Sequence, residues 1–241
     1  MFTPRIYYPH PLVENNVLSL DKTACHYLTT VLRLTDNDEI ILFNGQGGEY
    51  LAKIKMFKKN VEVHVLSFRN KDLRSPVPMH LGQSLVRGDR MDAVIQKATE
   101  LGVNTITPLI SANCQVKLVE ARSQKRLQHW QNIAISACEQ CGRTELPIIH
   151  PPTLLNDWTN QSFLGISLLL EPESQTALKN ISPPSAIRLA IGPESGWQKE
   201  EVTSLVSQHF VACHLGPRIL RTETASLVAL SILQAQFGDL S

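Results

Sequence analysis

From Met79 onward the sequence alternates between two rhythms, and that alternation leaves few folds open. "MHLGQSL" (79–85) is a short apolar run that reads as a strand. "DRMDAVIQKATELG" (89–102) places Met91, Val94, Ile95, Ala98 and Leu101 on one helical face, and Gly102 stops it. "VNTITPLI" (103–110) reads as a strand again. "SQKRLQHWQNIAISACEQCG" (123–142) reads as a second helix, with Leu127, Trp130, Ile133, Ala137 and Cys141 in register. Apolar runs follow at 164–170, 187–192 and 210–215, each ending in a turn and most leading into a helix. Strands that alternate with helices in this way give an α/β fold with a mainly parallel sheet.

The first ~70 residues differ. "EIILFNGQGGEYLAKIKMFKKNVEVHVLSF" (39–68) reads as three short strands, with a Gly-rich turn and a Lys58-Lys59-Asn60 turn. "DKTACHYLTTVLRL", from Asp21, reads as one short helix with Leu28, Val31 and Leu32 past Ala24 and Cys25 on a shared face. Short strands around one helix suggest a small β-barrel-like domain. "RNKDLRSPVPMH" (69–80) is polar, carries two prolines and reads as a linker. The expected division is a barrel at 1–72 and an α/β domain at 73–241.

Composition narrows the classes. At 241 residues, 43% hydrophobic and 19% charged, the chain can bury a core without staples. The formal net charge of +1 gives no bulk attraction for a polyanion, so any nucleic-acid contact must come from a local patch. Cys25, Cys114, Cys138, Cys141 and Cys213 are odd in number and irregular in spacing, which points to a reducing compartment. With no signal-like start and no membrane-length apolar run, the expected location is cytoplasmic.

In such sheets ligands sit beyond the carboxyl ends of strands. Three of those ends are chemically loaded: Leu170-Glu171-Pro172, Gly192-Pro193-Glu194-Ser195-Gly196, and the run from Leu215 through Gly216, Ile219, Leu220, Arg221, Glu223 and Thr224 to Ala225. A G-x-x-x-x-G-K-[ST] phosphate loop is absent, and "GQGG" (45–48) does not fit a dinucleotide fingerprint. Glu171, Glu194 and Glu223 would repel a polyphosphate. They favour a cationic ligand with hydrogen-bonding groups, and S-adenosylmethionine fits. Cys138 and Cys141 form a lone C-x-x-C on a helix, short of four zinc ligands, so no metal is expected. No G-x-S-x-G elbow offers a nucleophile.

"TETASLVALSILQAQFG" (222–238) reads as a helix with a Thr cap, Thr222 or Thr224, and Glu223 at its positive end. Leu227, Val228, Leu230, Ile232, Leu233 and Phe237 surround it. A helix without a polar face is buried all round. Either it is a central core helix or a second subunit covers it, and the reading adopted is a homodimer through the C-terminal domain.

"IGPESGWQKEE" (191–201) and "LGPRILRTETAS" (215–226) resemble the two C-terminal motifs of the SPOUT methyltransferases, the trefoil-knotted α/β class. "HYLTTVLRL" (26–34), "FNGQGGEY" (43–50), "QKATELGV" (96–103) and "ACEQCGR" (137–143) extend the likeness nearly end to end. The whole chain resembles the bacterial 16S ribosomal RNA (uracil-N3) methyltransferases, with their N-terminal PUA-like RNA-binding domain. The resemblance implies methylation of a uridine in the small-subunit RNA, with S-adenosylmethionine as donor and three knot loops around it. Backbone groups at Leu170, Gly192, Gly196, Leu215, Ile219, Leu220 and Ala225 would line the donor pocket, with Pro193 shaping a turn. Glu171, Glu194 and Glu223 read equally as donor contacts or as helix-cap and loop carboxylates. The family loop usually has Gly where Ser195 stands here; if that position needs φ > 0, Ser would strain it.

In-line attack by uracil N3 requires loss of its proton, hence a base or an oxyanion stabiliser. Arg221 heads the last helix, where a cation is electrostatically misplaced. It is expected to stabilise negative charge on a uracil carbonyl oxygen; the alternative is a salt bridge to Glu223 or Glu194. Glu139 and Arg143 are second candidates, for base handling or RNA contact, or else a surface pair at a helix end. RNA contact is expected from Arg5, His26, Arg33, Lys53, Lys55, Lys58 and Lys59. Arg87, Arg90, Lys97, Arg122, Lys125 and Arg126 add basic character to the second domain. Phosphate contacts of this kind position rather than specify.

Overall fold

The computed structural model describes residues 3–57, 60–114 and 120–240, and contacts divide the chain into two units. One comprises 1–73 together with Cys138–Leu146, the other 74–137 together with 147–241. The inclusion of 138–146 in the first unit is not foreseen by a single boundary near residue 72. Lys58, Lys59 and the side chain of Arg122 lie outside the described residues.

In the first unit β3 (Glu39–Phe43), β4 (Glu49–Phe57) and β5 (Asn60–Arg69) form an antiparallel meander. Two three-residue strands extend it: β1 (Arg5–Tyr7), parallel to β3, and β2 (Val17–Ser19), antiparallel to β5. The sheet order is β1-β3-β4-β5-β2. Asp21 caps α1 (Lys22–His26), its Oδ1 accepting the Ala24 N–H at 2.8 Å. A π-helical turn over Tyr27–Val31 continues it and delivers Leu28, fully buried, onto Ile40, Ile54 and Val63 of the sheet.

The second unit is a seven-stranded, wholly parallel sheet. Its order is β12 (Phe210–Cys213), β10 (Ile166–Leu170), β11 (Ile187–Ile191), β6 (Met79–Ser84), β7 (Thr105–Ile110), β8 (Ile148–Ile149), with β9 (Thr153–Leu154) also on β7. All five residues of β11 are buried, as a central strand covered on both faces requires. Helices α2 (Asp89–Glu100), α3 (Glu120–Cys141), α4 (Leu155–Thr159), α5 (Lys199–Ser207) and α6 (Thr222–Phe237) complete the chain. α6 packs on α2 and on β11. No helix among the described residues is long and apolar enough to cross a membrane.

The last helix is not buried all round within one chain. Thr222, Ser226, Ala229, Leu230, Leu233 and Gln234 are buried, whereas Leu227, Val228, Ser231 and Ile232 stay half-exposed. Nor does a threonine cap it. The N-cap is Arg221, whose side chain makes no capping bond.

Arg188 of β11 is buried with no carboxylate partner among the described residues. It donates to Ser167 Oγ at 3.1 Å and to the carbonyls of Trp158 and Gln161 at 3.3 and 3.0 Å, and lies over the rings of Trp158, Phe163 and Phe210. His80 adjoins it. The Trp158 indole N–H donates to His80 Nε2 at 3.2 Å, and Thr107 Oγ1 lies 2.8 Å from the same nitrogen. An indole only donates, so Nε2 is an acceptor and the ring is neutral. Burial, then the charges of His150 and Arg188, lower the imidazole to about 4. The unfolded chain takes up this proton near pH 6.5 and the folded chain does not. The stabilisation is therefore complete above about pH 6.5 and is lost as pH falls toward 4. Urea unfolding should show a loss of about 2 kcal/mol between pH 7 and pH 5 from this group. His80→Gln should flatten that slope.

Candidate donor pocket

The three loaded loops meet because β12, β10 and β11 are neighbours in the sheet and all point the same way. Their carboxyl ends open into a cavity of about 420 Å³. Leu170 and Glu171 line it from β10, Ile191 and Gly192 from β11, and Cys213 and His214 from β12. Leu215, Gly216, Ile219 and Leu220 close one side, with Thr222 and Ala225 from α6. Of the residues expected here, Leu170, Glu171, Gly192, Glu194, Gly196, Leu215, Gly216, Ile219, Leu220 and Ala225 all line the cavity. Pro193, Glu223 and Thr224 do not; Pro193 is buried in the loop and Thr224 is exposed.

The loop after β11 is held from both sides. Trp197 donates its indole N–H to the Leu170 carbonyl at 3.1 Å, bridging two strand ends. A Cβ at Gly192 would lie 3.1 Å from that indole, so glycine here permits ring packing. Asn113 donates to the Gly196 carbonyl and accepts from Gln198 Nε2, both at 3.1 Å. The positive φ falls at Gly196 (+75°), not at Ser195. Ser195 is therefore unstrained where the family pattern has glycine, and its hydroxyl reaches the Asn113 carbonyl at 3.4 Å. A capping box between Gln198 and Glu201 starts α5 directly beyond the loop.

The third loop is tied to the second. Thr222 donates its hydroxyl to the Gly192 carbonyl and accepts from Gln83 Nε2 at 3.0 Å. Gln83 Oε1 in turn accepts from Ser226. Gln83, Thr222 and Ser226 are all buried. Arg221, just outside this network, is exposed and has no ion pair among the described residues. The expected alternative partners go elsewhere: Arg90 Nη1 pairs with Glu194 at 3.3 Å, and Arg90 Nε stands 3.9 Å from Glu223.

Trp197, Asn113 and Gln83 escaped the sequence reading. Trp197 stood in the quoted motif, but its role depends on a hydrogen bond to another strand. Asn113 and Gln83 lie about 80 and 140 residues from their partners, which no local pattern can reveal.

The other candidates scatter. Arg5 is not available to RNA: it is buried, ion-paired with Glu49, stacked over Phe43 and bonded to the Arg143 carbonyl at 3.1 Å. Glu139 accepts the Tyr7 N–H at 3.0 Å, and burial raises its carboxyl. Arg143 is 8% exposed, so neither it nor Glu139 is the solvated helix-end pair envisaged. Cys138 is fully buried and its thiol is pushed up to about 12 by burial. His26 and Arg33 are exposed, and Lys53 and Lys55 share one face of β4, alternating with buried Ala52 and Ile54. Lys53 pairs with Glu39 at 3.7 Å and Lys55 bonds Asn37 at 3.3 Å. Lys97 pairs with Glu100 at 2.8 Å, and Arg87 is exposed.

A parallel sheet with a ligand cavity at three adjacent strand ends, in a chain that also carries a small barrel-like unit, defines a class. Residues 73–234 match the RNA methyltransferase domain family and residues 20–66 the RNA methyltransferase PUA domain family. Ribosomal RNA small subunit methyltransferase E of Buchnera aphidicola from Schizaphis graminum is 38% identical over 99% of this chain and 98% of its own. The Bacillus subtilis protein of that name is 30% identical over 92% and 91%. A Legionella pneumophila methyltransferase solved with bound S-adenosylmethionine superposes with a TM-score of 0.95 at 39% identity, covering both chains fully. The small subunit methyltransferase E of Neisseria gonorrhoeae, bound to the same compound, gives 0.93 at 37%, again over both full chains. The chain belongs to the ribosomal RNA small subunit methyltransferase E family.

Asn113→Ala should loosen the 192–198 loop without unfolding the sheet. Two hydrogen bonds at about 1 kcal/mol each correspond to roughly thirtyfold faster amide exchange in that segment. Hydrogen exchange with mass detection checks this against β6 and β7 as internal controls.

Proposed function

We propose that this chain transfers the methyl group of S-adenosylmethionine to N3 of one uridine in 16S ribosomal RNA of the small subunit. The observation that carries the reading is the cavity at the ends of β10, β11 and β12. It combines apolar walls with the carboxylates of Glu171, Glu173 and Glu194 against a single arginine, Arg218, among the described lining residues. That chemistry suits a sulfonium and an ammonium beside a flat aromatic base, and its size is in the ligand-pocket range. Relatives bearing the small-subunit methyltransferase name cover nearly the whole chain, and two structural neighbours hold the donor.

Backbone groups at Leu170, Gly192, Gly196, Leu215, Ile219, Leu220 and Ala225 are assigned to the donor. The bound donor supplies a carbon activated by a cationic leaving group. What remains for the protein is to make N3 a nucleophile. Its lone pair becomes available as its proton leaves and negative charge spreads to the flanking carbonyl oxygens. Arg221, exposed between the cavity-lining residues Leu220 and Thr222 and without an ion pair among the described residues, is assigned to stabilise that charge. Glu139 and Arg143 are better supported as structural groups of the first unit, given the Tyr7 and Arg5 bonds.

The RNA-binding barrel is assigned to 1–72 and the transferase domain to 73–241. Exposed His26 and Arg33, with half-exposed Lys53 and Lys55, support an RNA-contacting face on the barrel. A trefoil knot is supported by the insertion of β11 between β10 and β6, beside a third loop bound to the second. A homodimer through α6 is supported by the half-exposed, uncharged strip of Leu227, Val228, Ser231 and Ile232. A cytoplasmic location follows from the substrate.

Arg221→Ala should lower kcat by about 10²–10³ while leaving the donor Kd within about twofold. Isothermal calorimetry and single-turnover methylation separate the two. Unchanged turnover removes Arg221 from the mechanism, and nucleoside mass mapping that finds a ribose or C5 methyl removes the N3 assignment.

A further inference from the structure

A second hollow, of about 550 Å³, lies against the donor loop and is lined by Arg87, Gly88, Asp89, Arg90 and Glu194. Glu194 lines both cavities and so forms their common wall. Arg90 grips that wall from the second hollow, at 3.3 Å, and reaches Glu223 at 3.9 Å. One guanidinium thus links the start of α2, the donor loop and the first turn of α6.

The grip is weak. Arg90 is 47% exposed and neither contact is bidentate, so solvent screens both. Glu223 meanwhile keeps its second oxygen buried without a hydrogen-bond partner, an arrangement that is costly unless it is used. The planar guanidinium fork can take a phosphate through two parallel bonds, which neither of these single carboxylate contacts offers it. Arg87 stands beside it, exposed and without an ion-pair partner among the described residues. Gly88, at φ +56°, has nothing within 4 Å of where a Cβ would sit, so the floor of the hollow is open. Asp89 and Glu194 are the acidic residues among the described lining, with Glu223 beyond Arg90.

We propose that this hollow receives a backbone phosphate of the RNA acceptor. Arg90 is a positioning residue that exchanges Glu194 and Glu223 for that phosphate as RNA docks, so that docking is felt by the donor loop. This rests on the RNA methyl-transfer reading above.

The test uses the full-length protein and small ribosomal subunits from a strain lacking the gene. Arg90→Ala should raise KM for the subunit at least tenfold and lower the slope of log affinity against log salt by about one. The donor Kd should change less than about threefold. Arg90→Lys should recover part of the affinity, which a purely structural loss would not. Arg87→Ala, which removes no ion pair among the described residues, should independently reduce the salt slope. Unchanged RNA affinity and salt slope in both variants, or a loss confined to donor binding, overturns the phosphate subsite. Failure of the unaltered protein to methylate the subunit at all would instead overturn the methyl-transfer reading.

Discussion

The pocket depends on a buried relay of hydrogen bonds that runs from Ser226 through Gln83 and Thr222 to the Gly192 carbonyl. It joins β6, the donor loop and α6, three segments distant in the chain. Each group lies where an unmet bond would cost about 1–3 kcal/mol, so the members stand or fall together. Because Thr222 is committed to Gly192, it cannot cap its own helix. The helix therefore opens on Arg221, with its guanidinium turned outward. The relay fixes both the depth of the cavity and the placing of the cation at its rim.

The electrostatics of the site follow from strand order. Three parallel strands that end side by side deliver three loops to one place; the first two bring Glu171, Glu173 and Glu194 to the cavity, and the third brings Arg218. Such a concentration of negative charge would repel a phosphate at the centre of the cavity. The cations nearby are solvent-exposed: Arg218 on the cavity lining, Arg90 in the adjoining hollow, and Arg221 at the head of α6. A negative interior with a positive rim can seat a cationic small molecule while it meets a polyanionic one. The net charge of +1 hides this separation entirely.

Much of the architecture was legible because it is written locally. Helical periodicity located α2 and α3, Gly102 marked the end of α2 at φ +81°, and the apolar runs located β10, β11 and β12. The carboxyl-edge rule then pointed to the right loops. What escaped is non-local. β1 and β2 are three residues long and exist only as edges of a sheet built by others. Arg5 looked like a surface cation because its partner Glu49 is far away in sequence. The glycine pattern misled at Ser195, since the left-handed residue of that turn is the next one, Gly196. The last helix looked apolar all round because its small polar residues, Ser226 and Gln234, face inward, where they have partners.

The grouping of Cys138–Leu146 with the first unit has a consequence for how such a chain can be divided in evolution. Glu145 bridges to Gly45 and Gln46, Glu139 satisfies the Tyr7 amide, and the Arg143 carbonyl satisfies Arg5. A recombination joint near residue 73 would hand on the barrel without those partners, leaving the Tyr7 amide and one nitrogen of the Arg5 guanidinium without their acceptors. The barrel is not a cassette that can be traded between genes at one splice point. Inheritance of the two units as a single piece is built into the interleaving of the chain.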